Sequence, residues 1–220
     1  MRKLIIFGTG DIAQLAHYYF SLDNKFEVVA FTVDREYISD NSFCNLPVVP
    51  FDEIEKQFSP GEHNMFVALS YSKLNRTRAE KFNAAKSKGY KLVSYVSPKA
   101  TLYDNVRIGD NCFIFEDNTI QPFVSIADNV TLWSGNHIGH HSTIRDHCFI
   151  ASHAVISGGV TIDPYCFIGV NATIRDHVHI AEDCIIGAGA LITQDTIANS
   201  VYKGIPSQTA DFPARDLKKI

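Results

Sequence analysis

The 220-residue sequence is poor in cysteine, with five residues and no C-x-x-C spacing. A disulfide framework or a cysteine zinc site needs closely spaced cysteines, so neither is predicted. Four of the five lie in a periodic register described below, where a free cysteine packs as a small hydrophobic side chain. They are Cys112, Cys148, Cys166 and Cys184, and Cys44 lies in a predicted loop.

Long apolar runs are also missing. The first ten residues contain a four-residue apolar run after Arg2 and Lys3, which is too short for a signal peptide. No stretch approaches the roughly 18 apolar residues of a membrane span. The formal net charge is −4 and no long basic run occurs, which argues against nucleic acid or an anionic membrane as the main partner. We therefore expect a soluble cytoplasmic protein with neither of these partners.

The dominant feature is a repeat of six residues over positions 95–193. From Val96 to Ile192, every sixth residue is aliphatic, at seventeen consecutive positions. A second register, four residues after each of these, holds only small or medium-sized side chains, from Ala100 to Ala190. Neither a helix nor an ordinary strand has this period, whereas a β-helix of hexapeptide repeats does.

This repeat predicts a triangular prism. Each hexapeptide supplies a short strand and a turn, and three of them close a coil of eighteen residues. The aliphatic residue fills the interior, and the small residue lets the chain turn at a corner. Because coils stack at the spacing of strands, about 4.8 Å, the repeats predict five to six coils and a prism about 25–30 Å long.

Residues 1–94 predict a small α/β domain. Strands at 3–7, 26–33, around 48, 65–70 and 91–95 alternate with helices at 14–22, 51–58 and 74–88. This alternation implies a parallel sheet. Gly8, Gly10 and Ala13 form G-x-G-x-x-A after the first strand, and Asp34 follows the second. The pattern is typical of a loop that holds phosphate at a helix N-terminus, and a tight turn without a ligand is the alternative.

The repeat and this fingerprint together resemble the PglD/NeuD-like family of sugar acyltransferases. The resemblance implies a left-handed β-helix at 95–198, a cap at 199–220, and an N-terminal domain that resembles half a Rossmann fold and holds the nucleotide of a nucleotide-linked sugar. Ile12 replaces the family's loop histidine, and residues 70–72 replace its glycine-asparagine turn. The expected substrate-binding residues are Gly8, Gly10, Asp11, Asp34, Ser70, Tyr71 and Asn136.

Seven of the nine histidines lie in the repeats. Residues must differ by eighteen to stand directly above one another, and no two of these histidines do. His141, His147 and His153 are six apart, so they occupy the same turn position on three different corners and cannot chelate one ion within a chain. We expect no metal, with a site shared between chains, as in γ-class carbonic anhydrases, as the alternative. Most turn histidines are expected at the surface.

Acyl transfer from a thioester to an amine needs a base and a donor for the negative charge on the thioester oxygen. In the family, a histidine in the third place of a hexapeptide is the base, and an acidic residue follows it. The register puts His140 there, followed by His141 rather than a carboxylate. His141 could orient His140, a distant carboxylate could do so, or His141 or His137 could itself be the base. Trp133 could flank the acceptor or fill an interface.

The resemblance also implies acetyl-CoA in the groove between the prisms of a homotrimer. The corresponding positions are Gly158 near the thioester, then Val170, Ala188, Lys203 and Pro206. Gly158-Gly159 could instead serve only a corner turn, and the segment from 201 to 206 could only cap the last coil.

The expectation is therefore a homotrimeric N-acetyltransferase of a nucleotide-linked amino deoxysugar in surface-glycan synthesis. His140 would be the base, and Gly158 N–H would stabilise the intermediate. One alternative is O-acetylation of a sugar or sialic acid. Another is a non-catalytic or metal-binding β-helix protein.

Overall fold

The computed structural model describes residues 2–23, 25–209, 211 and 213–216. An α/β domain precedes a left-handed parallel β-helix, as the sequence predicted. Among the described residues, no helix has the length and apolar character needed to cross a membrane.

The α/β domain contains one six-stranded sheet covered on both faces. Its strands are β1 Arg2–Phe7, β2 Phe26–Val33, β3 Ser42–Phe43, β4 Leu46–Pro50, β5 His63–Val67 and β6 Lys91–Leu92, and its helices are α1 Asp11–Leu22, α2 Ile54–Gln57 and α3 Arg76–Ser87. The strand order is β3-β4-β2-β1-β5-β6. The five predicted strands pair in parallel, as expected. The sequence analysis missed β3, which runs antiparallel to β4 at one edge, because so short a strand carries no periodicity that a sequence reveals.

Several element bounds differ from the sequence prediction, and two of the differences affect the regions described below. Strand β5 ends at Val67, so residues 68–72 form a loop rather than the end of a strand. Strand β6 ends at Leu92, and Tyr95 already belongs to the first coil of the β-helix. The loop at 68–72 lies beside the turn after β1 and becomes part of the site described below.

The β-helix consists of two-residue strands separated by corners. In chain order they are β7 Tyr95–Val96, β8 Thr101–Leu102, β9 Arg107–Ile108, β10 Phe113–Ile114, β11 Thr119–Ile120, β12 Ser125–Ile126, β13 Thr131–Leu132, β14 His137–Ile138, β15 Thr143–Ile144, β16 Phe149–Ile150, β17 Val155–Ile156, β18 Thr161–Ile162, β19 Phe167–Ile168, β20 Thr173–Ile174, β21 His179–Ile180, β22 Ile185–Ile186, β23 Leu191–Ile192 and β24 Val201–Tyr202. They form three parallel sheets, here called the first, second and third faces, which begin at β7, β8 and β9.

From β7 to β23, strands in each face pair with a register shift of eighteen residues, as between Phe113 and Thr131. The aliphatic register and the four periodic cysteines form one continuous core, which confirms the predicted packing of these cysteines. Within the predicted cap at 199–220, β24 extends the first face beside β22. Residues 210, 212 and 217–220 of that cap lie outside the described residues.

From Asn111 onwards, one corner residue in each hexapeptide has a left-handed backbone. Fourteen consecutive positions, from Asn111 to Gly189, have φ between +55° and +78°. Glycine, asparagine and aspartate adopt this region at little cost, but larger side chains do not. Phe123, Tyr165 and four histidines nevertheless occupy this region.

The α/β domain packs on the first face and on the corner between the third and first faces. Tyr19 and Phe66 contact the ring of Phe113. At the corner, the buried Arg78 guanidinium donates to the carbonyl oxygens of Asn129 and Cys148, at 3.1 Å each. Burial lowers the pKa of Arg78 to about 10, and its Nε and Nη1 atoms have no partner among the described residues.

His147 lies inside this interface, so the expectation that it is a surface histidine is wrong. Its Nδ1 is 3.0 Å from Asn129 Nδ2, which can only donate, and its ring contacts Phe82 and Tyr165. The ring is therefore a hydrogen-bond acceptor at Nδ1. Burial lowers the pKa of His147 and outweighs the opposing effect of Asp146.

This burial predicts a pH dependence of stability. Neutral His147 contributes fully to the stability of the folded protein at pH values above 6.5, its ordinary pKa. This contribution is lost as the pH falls through the lower pKa that His147 has in the folded protein. Uptake of one such proton changes the free energy of unfolding by at most about 1.4 kcal/mol per pH unit. Urea unfolding between about pH 7 and pH 5 should show a shallower loss of stability in His147→Asn than in the wild type. His153→Asn, at an exposed corner, is the control, and equal slopes in all three proteins would contradict the prediction.

Candidate functional site

A cavity of about 670 Å³ opens at the carboxyl ends of β1 and β5. The strand order reverses between these two strands, and open α/β sheets bind their ligands at such a reversal. The polar and aromatic side chains around the cavity come from both domains. They include Asp11, Ser70, Tyr71, Ser72, Thr77 and Trp133.

Four of the predicted substrate-binding residues meet at this cavity: Gly10, Asp11, Ser70 and Tyr71. Gly8 lies buried behind the loop, with φ +127°, and a Cβ atom there would stand 2.7 Å from the carbonyl oxygen of Ala68. Only glycine allows this approach of the loop after β1 to the loop after β5.

The structure does not bring Asp34 and Asn136 to the cavity. Asp34 pairs with Lys81 at 2.8 Å in a separate depression. Asn136 is 1 % exposed, and its Oδ1 accepts from the amide of Ala154. Its Nδ2 donates to the carbonyl of Trp133, so the Asn136 side chain is fully engaged in holding a corner.

Aromatic side chains form the cavity wall on the side of the β-helix. Trp133 is stacked on Phe115, with ring centroids 4.6 Å apart and an interplanar angle of 8°. Tyr71 is half exposed and contacts the rings of Phe149 and Phe167. Asp11 is the only charged side chain that lines the cavity within the described residues.

The histidine cluster lies at the corner between the second and third faces, after β14. The Nδ1 atoms of His140 and His141 are 3.1 Å apart, and both side chains are exposed. The amide of His140 donates to Gln121 Oε1 at 2.9 Å, and the ring of His141 lies on that of Phe123 at 4.6 Å. Gln121 and Phe123 lie in the preceding coil, and their contacts hold His140 and His141 in place.

The contact between the two Nδ1 atoms has a chemical consequence. One nitrogen must donate and the other must accept, so the two rings share one Nδ1 proton. If His141 accepts, His140 carries its proton on Nδ1 and leaves its Nε2 lone pair free to take another. His141 is then placed as an orienting group, where the related enzymes are expected to have a carboxylate.

Gly158 lies one coil further along, directly above His140. A Cβ atom on Gly158 would stand 2.7 Å from His140 Cε1 and 2.9 Å from His140 Nε2, so glycine is required for the ring to lie there. The amide of Gly158 has no acceptor among the described residues. The imidazole therefore packs against a residue whose backbone N–H is unpaired, and an unpaired N–H is the kind of donor that can stabilise a developing oxyanion.

The other predicted cofactor positions lie elsewhere on the prism. Val170 and Ala188 are exposed at the corner between the first and second faces, one coil apart. Lys203 and Pro206 are exposed in the segment after β24, where the adjoining Gly204 fits closely against the backbone of Ala188. Within one chain, these four residues are not brought together with Gly158.

The sequence reasoning missed Gln121, Phe123 and Thr77. The eighteen-residue coil could have identified Phe123, because it stands eighteen residues before His141. Thr77 carries no such signal, since a cavity between two domains depends on how they dock. Among the described residues, no group of three or more His, Cys, Asp or Glu side chains could hold a metal ion.

Comparison with known proteins supports the repeat and the fold. Residues 123–158 and 159–194 match the bacterial transferase hexapeptide family (six repeats). No curated protein shows significant sequence similarity to the chain. The acetyltransferase domain of PglB from Neisseria gonorrhoeae is 24% identical, with a TM-score of 0.83 over 96% of this chain and 100% of that one.

Two further solved structures share the architecture over almost the whole chain. PerB from Caulobacter crescentus, in complex with CoA and GDP-perosamine, is 24% identical, with a TM-score of 0.81 over 94% of this chain and 96% of that one. WeeI from Acinetobacter baumannii is 17% identical, with a TM-score of 0.72 over 93% and 98%. The predicted resemblance to PglD/NeuD-like acyltransferases is thus confirmed in its repeat and in its fold.

The shared proton of the histidine pair can be tested by ¹⁵N NMR of labelled histidine side chains. At about pH 8.5, where imidazoles are ordinarily neutral, one of His140 and His141 should be protonated at Nδ1 and the other at Nε2. His141→Asn and His140→Asn assign the two signals. Two rings that are both protonated at Nε2 would show that the pair is not hydrogen-bonded.

Proposed function

We propose that this chain is an acetyl-CoA-dependent N-acetyltransferase of a nucleotide-linked amino deoxysugar, acting in the cytoplasm in surface-glycan synthesis. The observation that carries the proposal is the free Gly158 amide beside the exposed His140 imidazole. A base and an oxyanion donor, one coil apart, are the two groups that aminolysis of a thioester requires. The shared fold with PerB and the PglB acetyltransferase domain supports the same reaction class.

In the proposed mechanism, the amine nitrogen attacks the thioester carbon while His140 Nε2 removes its proton. His141 accepts the Nδ1 proton of His140 and so keeps the basic nitrogen facing the amine. The thioester oxygen becomes negative and receives a hydrogen bond from Gly158 N–H. Collapse of the tetrahedral intermediate breaks the C–S bond and releases CoA.

The acceptor is proposed to bind in the cavity at the strand-order reversal. Its phosphates would lie at the turn containing Gly10, at the start of α1, where free amides favour an anion. Tyr71 and Trp133 offer aromatic surface to a base or sugar ring. The aliphatic side chain of Ile12 cannot donate a hydrogen bond to a phosphate. Phosphate binding therefore depends on backbone amides and on the hydroxyl groups of Ser70 and Ser72.

A trimer is proposed because the parts of the site lie at different corners of one prism. His140 and Gly158 are at the corner between the second and third faces, whereas Val170 and Ala188 are at the corner between the first and second. In a trimer, Val170 and Ala188 of a neighbouring copy could lie against His140 and Gly158 of this one. Val155 and Leu191, on the second face between these corners, are 40% and 68% exposed, as expected for side chains that a partner covers.

The reaction is tested by following thiol release from acetyl-CoA with a panel of nucleotide amino sugars and matched hydroxyl sugars. We expect release with an amine and none with the hydroxyl analogue. Release with hydroxyl acceptors alone would identify an O-acetyltransferase. No release and no CoA binding would favour a non-catalytic β-helix protein.

Substitution of the base tests the assignment within that reaction. His140→Asn should lower kcat by about 10²-fold or more, because general-base catalysis is lost, while the trimer remains folded by sedimentation and thermal melting. His153→Asn, an exposed histidine at another corner, is the control and should keep near-normal activity. Near-normal turnover in His140→Asn would exclude His140 as the base.

The acceptor cavity is tested by Tyr71→Ala. Loss of one aromatic surface should raise KM for the nucleotide sugar by about tenfold, since such contacts contribute about 0.5–1.5 kcal/mol, and should leave KM for acetyl-CoA unchanged. Tyr18→Ala, which removes a similarly exposed tyrosine outside the cavity, is the control. An unchanged KM for the sugar in Tyr71→Ala would place the acceptor elsewhere.

A further inference from the structure

Two consecutive glycines, Gly158 and Gly159, lie between imidazoles from the coils on either side. The ring of His140 occupies the space where a side chain on Gly158 would lie. The ring of His177, from the next coil, does the same at Gly159, where a Cβ atom would be 2.5 Å from His177 Nδ1 and 2.8 Å from its Cε1. The diglycine is therefore a notch flanked by two histidines.

Backbone hydrogen bonds hold this arrangement in register. Gly159 N–H donates to the carbonyl of His140 at 2.8 Å, and His177 N–H donates to the carbonyl of Gly158 at 2.9 Å. The notch is thus part of the regular stack of coils rather than a flexible loop. Between its two imidazoles, the amide of Gly158 is the unpaired donor described above.

The ring of His177 packs against Gly159, and no polar contact among the described residues explains its presence. It is exposed, with φ +58°, a backbone conformation that asparagine or glycine would adopt more cheaply. Its ring makes no hydrogen bond within the described part of the chain, whereas His147 bonds Asn129 and His179 bonds Asp163. Both ring nitrogens of His177 are therefore available to a ligand in the notch.

We propose that His177 is a further catalytic residue, the general acid that protonates the sulfur of the departing CoA. The inference rests on the proposed function and assigns the second proton transfer of that reaction. His177 lies at the same corner as Gly158 but one coil nearer the C-terminal end of the prism, the direction in which the acyl donor is proposed to extend. His140 faces the amine, and His177 faces the leaving group.

The proton and electron balance is complete without another reactant. The nitrogen lone pair forms the C–N bond, and the amine proton passes to His140 Nε2. The C–S bond breaks with its electron pair on sulfur, and protonated His177 gives its proton to that sulfur. His140 ends protonated and His177 neutral, and exchange with water restores both. An alkyl thiolate is basic enough near neutral pH to benefit from this proton.

Leaving-group dependence tests this role. An alkyl thiolate needs the proton, whereas the thiolate of an aromatic thioester such as acetyl-thionitrobenzoate leaves without one. For His177→Asn, which suits the left-handed backbone, we expect kcat/KM with acetyl-CoA to fall by about 10²-fold and with the aromatic thioester to change by less than about twofold. The affinity for CoA should stay within about twofold of that of the wild type.

His153 provides a matched control. It has φ +59°, and its ring lies over Gly135 just as that of His177 lies over Gly159, but at a different corner. His153→Asn should leave the rates with both thioesters unchanged.

Equal losses with both thioesters in His177→Asn, or no loss with acetyl-CoA, would overturn the role of His177. A weakened CoA affinity that accounts for the whole loss would also overturn it, by showing a binding role. If the wild type itself transfers acetyl to no amine, the proposed function fails first, so the two failures are distinguishable.

Discussion

The structure depends on one constraint, which is that eighteen residues must close each coil of the β-helix. Because every coil closes at the same length, a residue and the residue eighteen positions later are neighbours, and their side chains must be compatible. Gly158 above His140, Gly159 below His177 and Phe123 below His141 all follow from this rule. A small side chain at one position is what permits a large ring in the adjoining coil.

The α/β domain adds what a regular prism lacks, which is an enclosed cavity. Its attachment to the β-helix combines aromatic contacts on the first face with the buried Arg78 at one corner. Removing the partners of a buried charge is costly, so the main-chain carbonyls that receive Arg78 help to fix how the domains dock. That docking brings Trp133 and Tyr71 to the same cavity, where both form part of its wall.

The β-helix was predictable from the sequence because its period is encoded at seventeen positions without interruption. The same register explains why Gly158, which the resemblance placed near the thioester, lies beside His140 in the structure. The placement of Asp34 and Asn136 was not predictable, because it depends on partners distant in sequence: Lys81 for the first, and the amide of Ala154 for the second. The burial of His147 escaped prediction for the same reason, since only the docking of α3 covers that corner.

The uninterrupted prism also limits how such a chain can change in length. Inserting or deleting one residue within a coil would move every later aliphatic side chain out of the interior. A change of six residues keeps these side chains inside but shifts every later residue to another face, and only a change of eighteen returns each residue to its original face. Each added coil would move Ala188 and the C-terminal segment about 4.8 Å further from His140. The distance from the His140 imidazole to the end of the prism can therefore change only in steps of one coil. The number of coils thus sets the length of a ligand that can span this distance.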